Sequence, residues 1–159
     1  MQNHKNLAKK KLNYKPKGLW FFGMSGSGKT FASNYIKKFV IGSFLIDGDE
    51  IREKISFDLG YTLKDRKIQV KRVLGIAKIC VNQGLYPIIS TVYFDKKLLS
   101  SVEKIGISLI EIQRNDEIVN FKIRNEKNIV GKDIFQEEIK CNKIINDINF
   151  ERKLRGLIL

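Results

Sequence analysis

Cysteine, proline and histidine are scarce in this chain, and acidic residues are outnumbered. Two cysteines, Cys80 and Cys141, and a lone His4 leave too few thiols for a disulfide framework and too few ligands for a metal cluster. Only two prolines among 159 residues, with 43% hydrophobic content, exclude a Pro-rich disordered chain and favour a folded globular one. No window approaches the ~18 consecutive apolar residues of a membrane span. Met1 to Gly18 has no apolar stretch of the kind a secretory leader needs, so a cytoplasmic protein without membrane contact is expected. The length fits one domain and leaves no room for a second.

The shortage of acids leaves a net charge of +13. Part of it has a simple location: Lys5, Lys9, Lys10, Lys11, Lys15 and Lys17 precede the first apolar run with no acid among them. Residues 1–17 therefore read as a basic arm and residues 18–159 as the folded domain. The remaining charge suits an anionic substrate, and by itself would equally suit nonspecific contact with nucleic acid.

Against these absences stands Gly23-Met24-Ser25-Gly26-Ser27-Gly28-Lys29-Thr30, a complete G-x-x-x-x-G-K-T between the apolar run Leu19–Phe22 and a helical pattern from Lys29 to about Phe39. Wrapping a triphosphate in backbone requires N–H groups converging on its oxygens, and glycines supply the bends without side chains in the way. The start of the helix adds its positive end, Lys29 can reach the β- and γ-phosphates, and the Thr30 hydroxyl is placed to ligate Mg²⁺. The pattern predicts an ATP and Mg²⁺ site. An ordinary Gly/Ser turn is the alternative, which the apolar run before the pattern and the helical pattern after it disfavour.

Further along, apolar runs alternate with helical periodicity: Ser43–Ile46, a short helix from Glu50 to Ile55, a long helix from Asp65 to about Gln83, Pro87–Val92, a helix from Lys96 to Lys104, and Ile107–Ile112. Such alternation predicts an α/β fold of P-loop NTPase type, three layers with helices on both faces of a parallel sheet. Ligands of such sheets bind at the carboxyl ends of strands. There the chain places Asp47-Gly48-Asp49-Glu50-Ile51-Arg52. Two carboxylates one glycine apart can divide the work, one taking a proton from an attacking hydroxyl, the other orienting Mg²⁺-bound water. The alternative is an Asp N-cap on the following helix with Arg52 solvated. Next come Asp58-Leu59-Gly60-Tyr61 and Asp65-Arg66, where Tyr61 offers a ring to a base, Arg66 a contact to an anion, and Gln69 lies one turn on along the same helix. An N-cap at Asp65 with a basic solvated face accounts for Lys67 and Lys71. Ile139, Ile144, Ile145 and Ile148 read as a helix packed on the sheet.

The succession G-x-S-G-S-G-K-T, I-D-G-D-x-I-R, D-L-G-Y-x-x-x-D-R and the helix ending Ala77-Lys78-Ile79-Cys80-Val81-Asn82-Gln83-Gly84 resembles the adenylylsulfate kinases from about Gly18 to Thr91. A weaker echo follows at Asn128–Asp133. The resemblance implies transfer of the γ-phosphoryl of ATP to the 3'-hydroxyl of a small anionic nucleotide. It assigns Asp49 as base and, with Thr30, as metal ligand, Asp47 as the second carboxylate, Arg52 and Arg66 as phosphate or sulfate contacts, and Tyr61 as the aromatic under the base. Ser90, Arg124 and Ile129 fall in the remaining acceptor-side segments, Arg124 with Lys122 as a lid cation or as the outer face of a helix carrying Ile118 and Phe121.

The departures concentrate on the acceptor side. Gln69 stands where the family has Asn, Ile129 where it has an aromatic, and the I-S-P-F-R segment and part of the basic lid are missing. Adenylyl sulfate is the first expectation for the acceptor, and a different nucleotide such as cytidine diphosphoramidate, used in polysaccharide modification, the second. A basic P-loop protein that binds nucleic acid or phosphorylates polynucleotides is the third reading, which the motifs disfavour. A scaffold that merely keeps ATP is disfavoured by the intact Lys29, Thr30, Asp47 and Asp49. The sequence is compatible with a homodimer.

Overall fold

In a computed structural model, residues 16–114 and 127–159 can be described. They form a five-stranded sheet, parallel throughout, in the order β2-β3-β1-β4-β5. The strands are β1 (Gly18–Phe22), β2 (Ser43–Asp47), β3 (Tyr86–Thr91), β4 (Ile107–Gln113) and β5 (Asn142–Ile145). The helices are α1 (Lys29–Lys37), α2 (Gly48–Lys54), α3 (Leu63–Asn82), α4 (Leu99–Lys104) and α5 (Phe150–Arg155).

β1 lies at the centre of the sheet with all five residues buried. Its period of two divides the core: Trp20 and Phe22 join Val70, Val73, Leu74 and Ala77 of α3 on one face, while Leu19 and Phe21 join Ala32 and Ile36 of α1 and Leu154 of α5 on the other. Helices thus cover both faces, the expected three layers. The spacing 70, 73, 74, 77 is the helical stripe that makes α3 a sheet-covering helix. On the opposite face an i, i+4 ladder of Phe31, Tyr35 and Phe39 runs along α1 and just past its end, and Phe31 stacks on Phe150 with ring centroids 5.9 Å apart. Arg155 Nε donates to the Tyr35 hydroxyl at 3.0 Å, tying α5 to α1.

Three local expectations are corrected. The isoleucines from 139 to 148 do not form one helix: Asn142–Ile145 is a strand whose register runs from Ile110↔Asn142 to Gln113↔Ile145. The open edge of β4 offers unpaired backbone groups, and a short β-branched segment satisfies them better as a strand, with Ile144 inward and Ile145 outward. α3 begins at Leu63, and its cap is Thr62 instead of Asp65; the Asp65 amide donates to Thr62 Oγ1 at 3.2 Å and the threonine hydroxyl donates to Asp65 Oδ2 at 2.7 Å. The helix expected from Lys96 divides into a 3₁₀ turn, Lys96–Leu98, capped by the buried Asp95, and then α4. Lys17, at the edge of the basic arm, is held by its backbone amide on Gly106 O at 2.8 Å.

Candidate active site

The loop from Gly23 to Thr30 leaves the carboxyl end of β1 through three glycines with positive φ: Gly23 at 152°, Gly26 at 81° and Gly28 at 107°. Two of them have a steric reason as well. A Cβ on Gly23 would sit 2.3 Å from Ile112 O of β4, and one on Gly28 would sit 2.4 Å from Asn146 Nδ2. Gly28 also occupies the N-cap of α1, whose first turn holds no acid, so the helix's positive end is available to an anion. Lys29 Nζ donates to Met24 O at 2.8 Å, folded back along its own loop.

Beyond the loop lies a cleft of about 810 Å³. Ser25, Gly26, Gly28, Lys29 and Thr30 line one side, and Asp47, Asp49, Arg52, Tyr61, Arg66, Gln69, Ser90 and Ile129 the other. The expected donor and acceptor residues therefore share one cavity. Gly23, Met24 and Ser27 are not among its lining; they support the loop from behind, with Met24 packed on Gly131 and Ser27 1% exposed. Arg124 lies outside the described residues, as do Lys122, Phe121 and Ile118.

Asp47 takes the role that the sequence left as the alternative. It is the N-cap of α2: Oδ1 accepts from the amides of Asp49 at 2.9 Å and Glu50 at 3.3 Å, and Oδ2 accepts from Ser90 Oγ at 2.8 Å. The proton of Ser90, expected to serve substrate, is thereby committed to Asp47. Gly48 is glycine because Ser90 O would lie 3.0 Å from its Cβ. The consequence is that Asp49, on the first turn of α2 and exposed, is presented to the cleft by a fixed strand–helix corner.

Tyr61 is flanked by cations. Arg52 Cζ lies 4.5 Å and Arg66 Cζ 5.6 Å from its ring centroid. Arg52 donates to Gly60 O, and Arg66 donates from Nε to Tyr61 O at 3.1 Å and from its terminal nitrogen to Asn128 O at 2.9 Å. Burial, and then the neighbouring Arg52, lower the Arg66 pKa below the ordinary guanidinium value, with Tyr61 and Asp49 pulling the other way. Two guanidinium groups that repel each other beside one cleft are relieved by an anion. The ring expected to carry a base thus already carries Arg52.

Gln69 is 3% exposed; its Nε2 donates to Gly48 O at 2.9 Å, and its Oε1 is buried with no partner among the described residues. That carbonyl lacks a donor a substrate could provide. Ile129, 8% exposed, contributes an aliphatic wall.

Sequence reasoning missed four participants. Phe31 lines the cleft beside Thr30. Tyr93 lines it from the loop after β3; burial, with Asp95 and Glu137 nearby, pushes its phenol up to about 12. Arg72 grips Asp58 with two hydrogen bonds of 2.5 and 2.8 Å, anchoring the loop that carries Tyr61. Asn146 Nδ2 donates to Ser27 O at 2.8 Å, across 119 residues of sequence. The aromatic at 31 had a visible signal in its i, i+4 partners, whereas Asn146 had none.

Among the described residues no group of three or more His, Cys, Asp and Glu could hold an ion. Thr30 and Asp49 offer hard oxygens on the same cleft, the donor set of a Mg²⁺ that arrives with phosphates and keeps its waters.

A parallel sheet of order 2-3-1-4-5, with a glycine-rich phosphate loop after its first strand, defines a P-loop protein of the kinase type. The adenylylsulphate kinase family profile matches residues 15–133, and the chain belongs to that family. It is 36% identical over 87 residues to the adenylyl-sulfate kinase of Buchnera aphidicola subsp. Acyrthosiphon pisum, a match covering 52% of this chain and 42% of that protein. It is 29% identical over 123 residues to the bifunctional enzyme CysN/CysC of Xylella fastidiosa, covering 74% of this chain and 20% of that one. The chain thus spans less than half the length of these curated relatives. The fold is similar to that of the Mycobacterium tuberculosis APS kinase CysC, solved in complex with AMPPNP and APS, with TM-score 0.74 and 16% identity over 90% of this chain and 95% of that one. Among the described residues no helix is long and apolar enough to cross a membrane.

Proposed function

We propose that this protein transfers the γ-phosphoryl group of ATP to the 3'-hydroxyl of a small anionic nucleotide, adenylyl sulfate being the first candidate. The observation that carries the reading is that a phosphate loop and an acceptor group of Asp49, Arg52, Arg66 and Gln69 line one cleft of about 810 Å³. Catalysis there is positioning and charge neutralisation. The loop amides and Lys29 hold the triphosphate, and Arg52 and Arg66 draw in the acceptor's anionic group. Asp49 takes the proton as the acceptor oxygen bonds to the γ-phosphorus and the bond to the β-phosphate oxygen breaks, releasing ADP. Thr30 and Asp49 would hold Mg²⁺, which when bound neutralises charge on the β- and γ-phosphates.

One observation favours a different base on the acceptor. Ile129 cannot stack as an aromatic would, a loss of about 1–3 kcal/mol per base by analogy with single-stranded nucleic acids. In its place Gln69 offers an unpartnered carbonyl to an N–H donor. The exocyclic amines of adenine and cytosine can both meet that carbonyl, so it is the missing aromatic alone that makes a nucleotide such as cytidine diphosphoramidate the second reading, which would move the protein from sulfate assimilation to polysaccharide modification.

A coupled ADP-release assay separates them. ATP turnover stimulated selectively by adenylyl sulfate supports the first reading and a cytidine diphosphate derivative the second, each abolished by Lys29→Ala. If ATP binds but no nucleotide in a broad panel stimulates turnover, the kinase assignment is wrong.

A further inference from the structure

We propose that Asn146 is a positioning residue for the ATP donor: its side-chain amide clamps the phosphate loop from the far edge of the sheet and aims a loop amide at the phosphates. The inference rests on the kinase reading above, since it concerns how ATP is held.

Asn146 follows β5, the edge strand, and its backbone amide donates to Gln113 O at 2.8 Å, so the residue is seated on the end of β4. From there Nδ2 reaches Ser27 O at 2.8 Å. In a planar trans peptide the carbonyl and the following N–H point in opposite directions. Holding Ser27 O toward Asn146 therefore turns the Gly28 N–H the other way, and Gly28 lines the cleft. Asn146 fills the space beside Gly28, where an added Cβ would come within 2.4 Å of Nδ2 and 3.3 Å of the Phe150 ring. Gly28 has no side chain to pin its own φ of 107°, a region it leaves at little cost. The clamp supplies from outside the rigidity that the glycine lacks, so less loop freedom remains to be lost when ATP binds. At the other end of the loop Gly23 runs close beside β4, leaving no room for a side chain at Ile112 O.

The test is titration of the full chain with ATP and with a non-hydrolysable ATP analogue, alongside steady-state kinetics. Asn146→Ala removes the donor. Asn146→Asp keeps the shape and places an acceptor against the Ser27 carbonyl. The expected result is a dissociation constant for ATP raised about three- to tenfold in Asn146→Ala, in line with one lost hydrogen bond, and raised further in Asn146→Asp. KM for ATP follows it while KM for the acceptor stays unchanged. Amide exchange of Gly28 in the nucleotide-free protein accelerates in both variants. Equal loss of affinity for both substrates, or ATP binding indistinguishable from the wild type in the isosteric Asn146→Asp, overturns the proposal while leaving the kinase reading intact. A wild type that binds no ATP overturns both. If Asn146→Ala does not fold, the isosteric variant and the exchange rate decide.

Discussion

Asp47 was expected to be a second catalytic carboxylate, and the structure makes it the keystone of the corner that carries Asp49. Replacing it by alanine removes an N-cap, which costs about 0.5–2 kcal/mol. It also leaves the Ser90 hydroxyl, 4% exposed, without the carboxylate oxygen at 2.8 Å that accepts its proton. A buried hydroxyl orphaned in this way costs about 1–3 kcal/mol. The sum is about 1.5–5 kcal/mol, a fall in melting temperature on the order of 3–20 °C for a domain of this size. Asp47→Asn is the control. Asparagine caps as well as aspartate, and its amide can donate to Ser90 Oγ, so stability returns to near the wild type while the charge is lost. Thermal unfolding followed by circular dichroism, with guanidinium midpoints as a second measure, reads the stability; ADP release reads turnover on the same samples. Adding Ser90→Ala to Asp47→Ala should cost less than the sum of the single changes, since the orphaned hydroxyl disappears. An Asp47→Ala protein that melts within about 2 °C of the wild type refutes this reasoning.

The remaining expectations are shorter. Gly23→Ala meets Ile112 O at 2.3 Å in a backbone conformation that disfavours side chains, so it should abolish ATP binding and lower the melting temperature, both visible in one thermal-shift titration. Gln69→Leu removes the bond to Gly48 O and the unpartnered carbonyl together; KM for the true acceptor should rise about tenfold, whereas KM for ATP should hold. Tyr93 has its phenol raised by burial from 10.0 to about 12, so the folded state holds the proton more tightly than the unfolded one. Its contribution is full below pH 10.0 and is lost as pH rises towards 12, so denaturant midpoints should fall across that window less steeply in Tyr93→Phe. Asp58 is held below its ordinary 3.8, chiefly by its hydrogen bond to Arg72, so the anchor of the Tyr61 loop is complete above 3.8 and released as pH falls through the lower folded value. Arg72→Ala should raise acceptor KM at neutral pH with little change in melting temperature.

The donor half of this protein was legible in the linear chain because it is contiguous. A phosphate loop works through its own backbone, and its glycines, lysine and threonine must follow one another at set intervals, so residues 23–30 carry the whole instruction. Period-two and period-3.6 patterns likewise placed β1 and the stripe of α3, since those faces are buried by a sheet that needs them. The aspartates at 47 and 49 were visible as a pair, but not that Asp47 would spend its oxygens on the start of α2 and on Ser90 while Asp49 stays exposed. That was decided by Ser90, brought beside Asp47 when β2 and β3 pair in register. Nor could spacing reveal that Arg52 covers the ring of Tyr61, that Gln69 turns its amide nitrogen to Gly48, or that residues 142–145 would complete the edge of a sheet instead of a helix. Each of these is a contest between local preference and a partner far away in the chain. Asn146 is the extreme case: nothing near it in sequence marks it, and its contact with Ser27 exists only because β4 and β5 end side by side against the loop. The amino-acid order determined that a phosphate loop would form after β1; the tertiary structure decided what holds that loop and which side chains face it across the cleft.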